Sequence, residues 1–596
     1  MAEVVSRQAA TRRWVLAAVV ALLGMVPFWG AVRHGYSRFD DMPMLGTTAY
    51  HGLGPEQLSW MFTTVHMGHY QPLAWVTFAI EWTLCGELRA DVSHAVNIVV
   101  HGVNAALVFV LATMLIGRAR PELPRWAVEV GAAGAALLFA VHPLRVESVA
   151  WVTERRDVLS LLFYLLAVMW YLRANDEGVG KTERGRRMLG VWLFFVLSLL
   201  SKAWGMTFFL VLLVIDWYPL RRVPWPGRAW LSAPARKVLM EKLPFAVVGV
   251  VWAVVAGMAA SSYPGTSKKL VEWGVDDRVF QAVYGLAFYW WKTVWPTGLS
   301  VLYELPRELK VTELRVLAAL GTVLVGVAAA VALRRKWPAV PAALAAFAVI
   351  VSPVLGLFQS GIQLVADRYS YLSMIAPVVA LGGWMAVWMS RRTVAARWGM
   401  AGCVVVLAGV LSALTVRQTS YWREDVELFG HAMASGQDGP ILRVYYGKQL
   451  DRVGRPEEAV RHFQRAIELA PDYGEAWFAL GNACKASKQI DEAKRAYERA
   501  IALLPDSWRA DQAMGLLLAE ELDDLEGALA YFKSAVEKIE GKEHWAFQPG
   551  PYMTLASALY DLGDVAGARQ ALEIALQFRE THELAKSGLR KIGAGR

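Results

Sequence analysis

YYGKQLDRVGRPEEAVRHFQRAIELAPDYGEAWFALGNACKASKQIDEAKRAYERAIALLPDSW, residues 445–508, repeats itself every 34 residues. Gly447 and Gly481 stand one period apart, as do Ala459 and Ala493, Phe463 and Tyr497, Ala466 and Ala500, and Pro471 and Pro505. Small residues at fixed offsets let two antiparallel helices touch, an aromatic ring fills the seam between them, and proline closes the unit. A third unit carries Gly515, Ala528, Phe532 and Ala535, displaced by one residue; after the insert GKEHWAFQPG (541–550) a fourth carries Ala568, Leu572 and Ala575. Residues 440–596 therefore read as an α-solenoid of about four helix pairs, an architecture that binds peptides in a concave groove and seldom does chemistry.

Upstream of the repeats the composition changes class. The chain has 596 residues, 56% of them hydrophobic, with 26 Trp and a mean hydropathy of +0.34, values typical of a protein that crosses a membrane many times. Residues 440–596 hold 21 Lys and Arg against 24 Asp and Glu, so the net charge of +9 arises in the first 439 residues, which hold 40 against 28. That excess lies in loops between apolar runs, which reads as membrane orientation rather than a nucleic-acid face. About eleven runs are long enough to be spans: 13–32, 94–116, 126–142, 157–173, 188–201, 203–219, 243–260, 312–333, 338–357, 371–390 and 398–416. Residues 14–31 lack a small-residue cleavage site and read as a retained first span, and 188–201 with 203–219 reads as a tight hairpin meeting at Ser201-Lys202. Basic loops at Arg12-Arg13, Arg118–Arg125, Lys181–Arg187, Arg221–Lys242, Arg334–Lys336 and Arg391–Arg397 fall on one side, assigned to the cytoplasm with the N-terminus. Loops 33–93, 143–156, 261–311 and 358–370, and everything after 417, fall on the other side. The alternation holds if 279–296 is re-entrant or interfacial rather than a full span. Residues 417–439 read as a link. Cys85, Cys403 and Cys484 are scattered and suggest neither a disulfide framework nor a zinc site.

Chemistry is expected in the outward loops. The acidic pair Asp40-Asp41 in HGYSRFDDMPM (34–44) follows the first span, where a carboxylate is placed to act as a general base at the bilayer surface; the plainer reading is a solvated loop. Loop 33–93 also holds His66, His69, Tyr70 and Gln71, and its stretch LAWVTFAIEWTLCG (73–86) reads as an amphipathic helix lying flat on the membrane. HPLRVESVAWVTERRD (142–157) sets His142, Arg145, Glu147, Glu154, Arg155, Arg156 and Asp157 between apolar helices. Arginine grips phosphate through paired hydrogen bonds, so this loop is a candidate seat for a lipid phosphate; Glu154 to Asp157 are otherwise surface charges or mutual ion pairs. Asp367, Arg368 and Tyr369 in VADRYSYL (365–372) open a helix, where they either serve a site or simply cap it. Lys202 is an isolated ionisable residue between two apolar runs and is a site candidate by that fact. His66 and His69 have metal-ligand spacing without a clear third ligand. His94, Asn97, His101 and Asn104 line one helical face, the pattern of interhelical hydrogen bonding. No Rossmann glycine fingerprint or P-loop is found in a strand-to-helix context, which disfavours a nucleotide-sugar donor.

The 34-residue pattern is that of tetratricopeptide repeats. Together with the acidic pair, HPLRVESVAWVTERRDVLS, LSLLSKAWGMTFFLVLLVIDWYPL (197–220) and VADRYSYLS, it resembles the transmembrane-and-tetratricopeptide O-mannosyltransferases, more closely their bacterial relatives within the GT-C glycosyltransferases. The resemblance covers nearly the whole chain; Gln71, where the family often has Arg, and Ala203, where Pro usually follows the lysine, depart from it. It implies an all-α GT-C-like membrane bundle (1–416) in a bacterial inner membrane, with periplasmic repeats (440–596). It further implies transfer of a sugar, usually mannose, from a polyprenyl-phosphate donor to Ser or Thr of a polypeptide held at the repeat groove. In that scheme Asp40 or Asp41 is the base of an inverting attack, and Arg145, Arg155, Arg156, Lys202 and Arg368 stabilise the leaving phosphate. His142, Glu147, Tyr70, Gln71, Asp367 and Tyr369 complete the candidate site. No cofactor is required, a divalent Mg or Mn on Asp40 and Asp41 being the alternative. A glycan- or lipid-directed transferase would put the sugar on envelope glycan instead, and a non-catalytic scaffold would tolerate loss of the outward charges.

Overall fold

The computed structural model of the chain describes residues 2–594, except 48, 50, 225–229, 231, 263–272, 358–360, 541–549 and 577–581. Nearly all of the insert 541–550, and parts of the loops 261–311 and 358–370, lie outside the described residues. The chain divides into two units, Met1–Gln437 and Asp438–Arg596.

In the first unit each of the eleven expected spans is helical, but they differ in kind. Among the described residues, six helical stretches are long and apolar enough to cross a bilayer: Thr11–Arg33, Ala90–Ala119, Val152–Ala174, Leu243–Ser261, Leu314–Leu333 and Val394–Ser420. Two more arise if each bent pair counts as one span, Arg125–Ala140 with Pro143–Ala150 (bent 60°) and Asp367–Ser373 with Ile375–Ser390 (bent 55°). The other three fall short of that test. Lys181–Ser201 opens on charged residues, and Ala203–Trp217 and Ala339–Val354 are too short to span alone. Burial ranks the helices: 72% of the most apolar window of Val152–Ala174 is buried, against 11% for Leu314–Leu333 and 17% for Val394–Ser420. The first of these is the central helix, and the latter two turn their Leu and Val side chains outward, as lipid-facing helices do.

Three expectations change. Residues 279–294 lie in one continuous helix, Val275–Val294, which removes the re-entrant alternative and leaves the interfacial one; Asp276, Asp277, Arg278 and Lys292 at its ends keep it from reading as a span. The helix Pro72–Cys85 is apolar on both faces rather than amphipathic, with Trp75 and Phe78 buried on one side and Ile80 and Leu84 exposed on the other. The link 417–439 is mostly ordered helix: Val394–Ser420 runs past its expected end, and a separate helix Asp425–Ala434 packs within the first unit. The only strands among the described residues, Tyr303–Glu304 and Gln363–Val365, pair antiparallel.

His94, Asn97, His101 and Asn104 are buried and tie helices together as their spacing suggested. The Asn97 amide donates to the Val149, Trp151 and Val152 carbonyls at 3.2–3.4 Å, and His101 meets the Tyr371 hydroxyl at 2.8 Å. In a bundle without water such bonds satisfy irregular backbone that would otherwise be orphaned.

The second unit is the repeat array: Pro440–Arg452 with Pro456–Leu469, Gly474–Ala486 with Ile490–Leu503, Trp508–Glu521 with Leu525–Ile539, and Gly550–Asp561 with Val565–Ala575. A further helix, His582–Ala594, follows the fourth pair and covers its open face through Ala585 and Ile592, an addition the repeat spacing did not announce. The repeated glycines are explained by contact distance. A Cβ on Gly447, Gly481 or Gly515 would stand 2.5 Å from the ring of Phe463, Tyr497 or Phe532. Replacing Gly481 with valine is therefore expected to destabilise the array by about 1–3 kcal/mol, read as a lowered unfolding midpoint of the full-length protein.

Candidate active site

The site is built where helices break. His142 accepts a hydrogen bond from the Leu144 amide at 3.2 Å and caps the turn Pro143–Arg145, whose proline cannot donate back into the preceding helix. The chain bends there, runs through Val146–Ala150, becomes extended at Trp151 and re-enters helix at Val152. Lys202 is likewise extended (φ −159°, ψ 148°) between Lys181–Ser201 and the turn Ala203–Thr207. The short helix Asp367–Tyr369 follows directly on the strand Gln363–Val365. Each break releases side chains inward at one end of the bundle.

Those side chains meet at Glu154, which has no exposed surface. Its carboxylate accepts from Arg156 Nη2 at 2.5 Å and Nε at 3.1 Å, pairs with Lys202 Nζ at 2.9 Å, and lies 3.3 Å from Arg368 Nε. Lys202 Nζ donates a second time, to Asp157 Oδ1 at 2.7 Å, and the same oxygen takes the Trp204 indole N–H at 2.8 Å. Arg368 is held from two more sides, by Glu147 through both its guanidinium and its backbone N–H, and by Gln363 at 3.2 Å. Arg156, Lys202 and Arg368, from three distant segments, thus share one buried acid. Removing a single partner from such a set leaves a charge without compensation, at a cost of about 3–5 kcal/mol.

The acidic pair lies beside this cluster and divides in two. Asp41 is 1% exposed, and its carboxylate accepts the Thr153 amide at 2.9 Å and the Ser37 amide at 3.0 Å. Burial nonetheless pushes its pKa up to about 7, the two amides pulling against it and Asp40 adding repulsion. Asp40 is only partly buried, and no hydrogen bond to its carboxylate is present among the described residues. Burial raises its pKa to about 6, with Arg156 and Arg368 drawing it down and Glu154 pushing it up. His69 lies within electrostatic reach of the same groups, and burial followed by Arg156 holds its imidazole well below the usual range, so it is neutral at pH 7.

The remaining candidates are committed elsewhere or at the margin. Arg145 donates to the Ser370 carbonyl at 2.7 Å and its hydroxyl at 3.0 Å, and stacks on Phe139 and Tyr371. Arg155 is fully buried against Glu81, the Asn97 amide oxygen (2.7 Å), the Ser93 carbonyl (2.7 Å) and the face of Phe78. Both are internal ties and do not reach the Glu154 cluster. His142 Nε2 meets the Thr293 carbonyl at 3.0 Å. Tyr70 donates to the Phe62 carbonyl at 3.0 Å, Asp367 accepts from the Tyr303 hydroxyl at 3.0 Å, and the Tyr369 hydroxyl accepts from Gln363. Gln71 reaches Arg156 at 3.4 Å and so does touch the cluster. His66 and His69 pair through their backbones, and no three metal-ligating side chains are grouped among the described residues. Glu154 and Asp157, read from sequence as surface charges or mutual ion pairs, are buried and ion-paired, Glu154 with Arg156 among others, and Trp204 is the cluster member that the sequence did not single out.

An apolar cavity of about 140 Å³ lies within the bundle, lined by residues that include Leu111, Tyr164, Val211, Ala343, Leu372 and Ile375. Leu372 belongs to the helical turn that follows Arg368; no residue of the Glu154 cluster lines the cavity, which extends to Arg120, Tyr218 and Trp337. The Tyr164 hydroxyl in its wall is buried and has no hydrogen-bond partner among the described residues.

A profile described as tetratricopeptide repeat matches residues 452–519. Human protein O-mannosyl-transferase TMTC1 is 27% identical over 455 residues, covering 69% of this chain and 49% of the relative. Mouse protein O-mannosyl-transferase TMTC4 is 32% identical over 206 residues (34% and 26%), and Drosophila melanogaster protein O-mannosyl-transferase Tmtc2 is 33% identical over 150 residues (25% and 15%). The matched part thus spans about half or less of each relative's length. Among solved structures, the TPR protein YrrB superposes with a TM-score of 0.24 at 21% identity, over 28% of this chain and 84% of that one. The homologues of this chain are the TMTC-type protein O-mannosyl-transferases, and like a tetratricopeptide protein it carries the helical repeat behind its apolar helices.

Proposed function

We propose that the chain is a membrane glycosyltransferase that moves mannose from a polyprenyl-phosphate donor to Ser or Thr hydroxyls of extracytoplasmic polypeptides, with Asp40 as the general base. The observation that carries this reading is the pairing of a carboxylate that no hydrogen bond commits with a preassembled cluster of three cations. Asp40 accepts the hydroxyl proton as the acceptor oxygen attacks the anomeric carbon. The bond from that carbon to the phosphate oxygen breaks on the opposite face, so configuration inverts and polyprenyl phosphate departs. Of the three cations Lys202 is the most available to that phosphate: its ammonium spends two of three N–H donors on Glu154 and Asp157, and its side chain is 19% exposed. Glu154 aims the cations rather than taking part itself. Preorganised charge of this kind lowers a barrier because it needs no rearrangement as negative charge develops.

A lipid-linked donor is supported by the apolar cavity beside Leu372, where an isoprenoid chain finds a hydrocarbon wall. The repeats are read as the site that holds acceptor polypeptide. The basic loops support an N-terminus in the cytoplasm of a bacterial inner membrane, with the acidic pair and the repeats on the far side. A divalent cation on Asp40 and Asp41 is the alternative: each Asp41 oxygen accepts one amide N–H and keeps a lone pair for such an ion.

Sugar transfer by the purified full-length protein, from polyprenyl-phosphate mannose to extracytoplasmic protein extract, tests the reading. Asp40→Asn is expected to lose about 10²–10⁴-fold in rate, whereas Asp41→Asn chiefly lowers thermal stability by spoiling the Ser37 contact. Because the base must be deprotonated, kcat/KM of wild type should fall tenfold per pH unit below about 6 and level off above it. Equal transfer by Asp40→Asn removes the base, sugar on envelope glycan alone points to the glycan-directed reading, and no transfer from any lipid-linked sugar points to a scaffold. The two kinds of buried cation also separate. Both Lys202→Ala and Arg155→Ala should destabilise the bundle by about 3–5 kcal/mol by stranding buried acids, but only Lys202→Ala should also cut kcat of the folded protein, by about 10²-fold.

A further inference from the structure

The loop that carries Asp40 is fastened from an unexpected direction. Asp425, first residue of the helix Asp425–Ala434, accepts two hydrogen bonds from it: Ser37 Oγ–H to Oδ1 at 2.7 Å and the Arg38 amide to Oδ2 at 2.9 Å. Phe39 is wedged between the same helix and the core, edge-on to Phe429 with centroids 5.6 Å apart and stacked on Trp151 at 5.4 Å. Trp151 in turn packs on Trp422, on the chain just ahead of that helix. Asp40 therefore sits between two fastened neighbours, Phe39 held by Asp425–Ala434 and Asp41 held by Thr153 and Ser37, while its own carboxylate stays free to face the cations.

We infer that Asp425 is a positioning residue, the carboxylate that holds Asp40 at the cation cluster from a helix nearly 390 residues away in sequence. The inference rests on Asp40 being the base of the transfer reaction. Its physical ground is the bidentate, charge-assisted contact, which engages both carboxylate oxygens with donors two and three residues ahead of Asp40. No other side chain of the described residues bonds the Arg38 amide. In the sequence this helix ends four residues before Asp438, where the repeat unit begins, so the fastening comes from the last element before the repeats.

The test compares full-length wild type, Asp425→Ala and Ser37→Ala, which removes one of the two bonds to Asp425 together with the Phe39 amide's bond to Ser37 Oγ at 3.1 Å. Amide hydrogen exchange over residues 37–45 reads the fastening without reference to activity, and transfer kinetics read its catalytic consequence. In Asp425→Ala exchange of the Arg38 amide should rise and kcat fall about 10- to 100-fold, with donor KM within about twofold because the cation cluster is untouched. Ser37→Ala should show a change of the same kind. The acid limb of the pH–rate profile should move below 6 in Asp425→Ala, since a loosened loop admits water to Asp40 while Arg156 and Arg368 still favour its charged form. Unchanged exchange in Asp425→Ala overturns the inference, as does faster exchange with kcat and pH limb unaltered. An inactive wild type removes the transferase reading itself, and Asp425's catalytic role with it, an outcome distinct from an active wild type matched by an equally active variant.

Discussion

A carboxylate with no solvent access is tolerated only where positive charge meets it, and Glu154 satisfies that condition with groups from three parts of the chain. Arg156 comes from its own helix, Lys202 from the break after Ser201, and Arg368 from the turn after the second strand. Each of these cations is buried or nearly so and would be as costly alone as Glu154 is. The rest of the first unit follows from this mutual dependence. The bends at Pro143 and before Ile375, and the extended residue Lys202, are the backbone irregularities that bring the charges within reach. They persist because buried side chains such as Asn97, His101 and Asn104 satisfy the freed carbonyls.

The same economy divides buried arginines into two populations that look alike in sequence. Arg155 and Arg156 are adjacent, yet one turns into the wall toward Glu81 and Phe78 and the other toward the cluster, as a helix with about 100° between successive residues requires. Arg145 belongs with Arg155. Both lie away from Glu154, whereas Lys202 and Arg368 converge on that acid and form a surface complementary to an anion.

Much of this was legible in the sequence. The 34-residue period foretold the helix pairs down to the glycine–aromatic contacts, because small-residue spacing is a direct record of helix approach. Each of the eleven apolar runs is helical in the structure, and the acidic pair, Gln71, Arg156, Lys202, Glu147 and Arg368 were picked out as candidates that the structure gathers. What escaped was direction and partner. An apolar run gives a helix but not where proline or an extended residue interrupts it, so spans of equal hydropathy became straight, bent or short. Glu154 and Asp157 read equally well as surface charges. The clue was that they open an apolar stretch most of whose faces are hydrophobic, which leaves no solvated face for four consecutive charges. The role of Asp425 had no local signal, since both its partners lie at the other end of the unit.

Chain order adds a dimension of time to the cluster. Glu147 finds Arg368 across 221 residues, a length that ribosomes take about 10–40 s to make. Throughout that interval Glu147 and Glu154 exist in a nascent chain whose compensating guanidinium has not yet been synthesised, with Arg156 and then Lys202 arriving as the only countercharges. The first helices must therefore await the late ones in an incomplete electrostatic state, and the site becomes whole only when the segment around Arg368 emerges, close to the end of the membrane unit's synthesis.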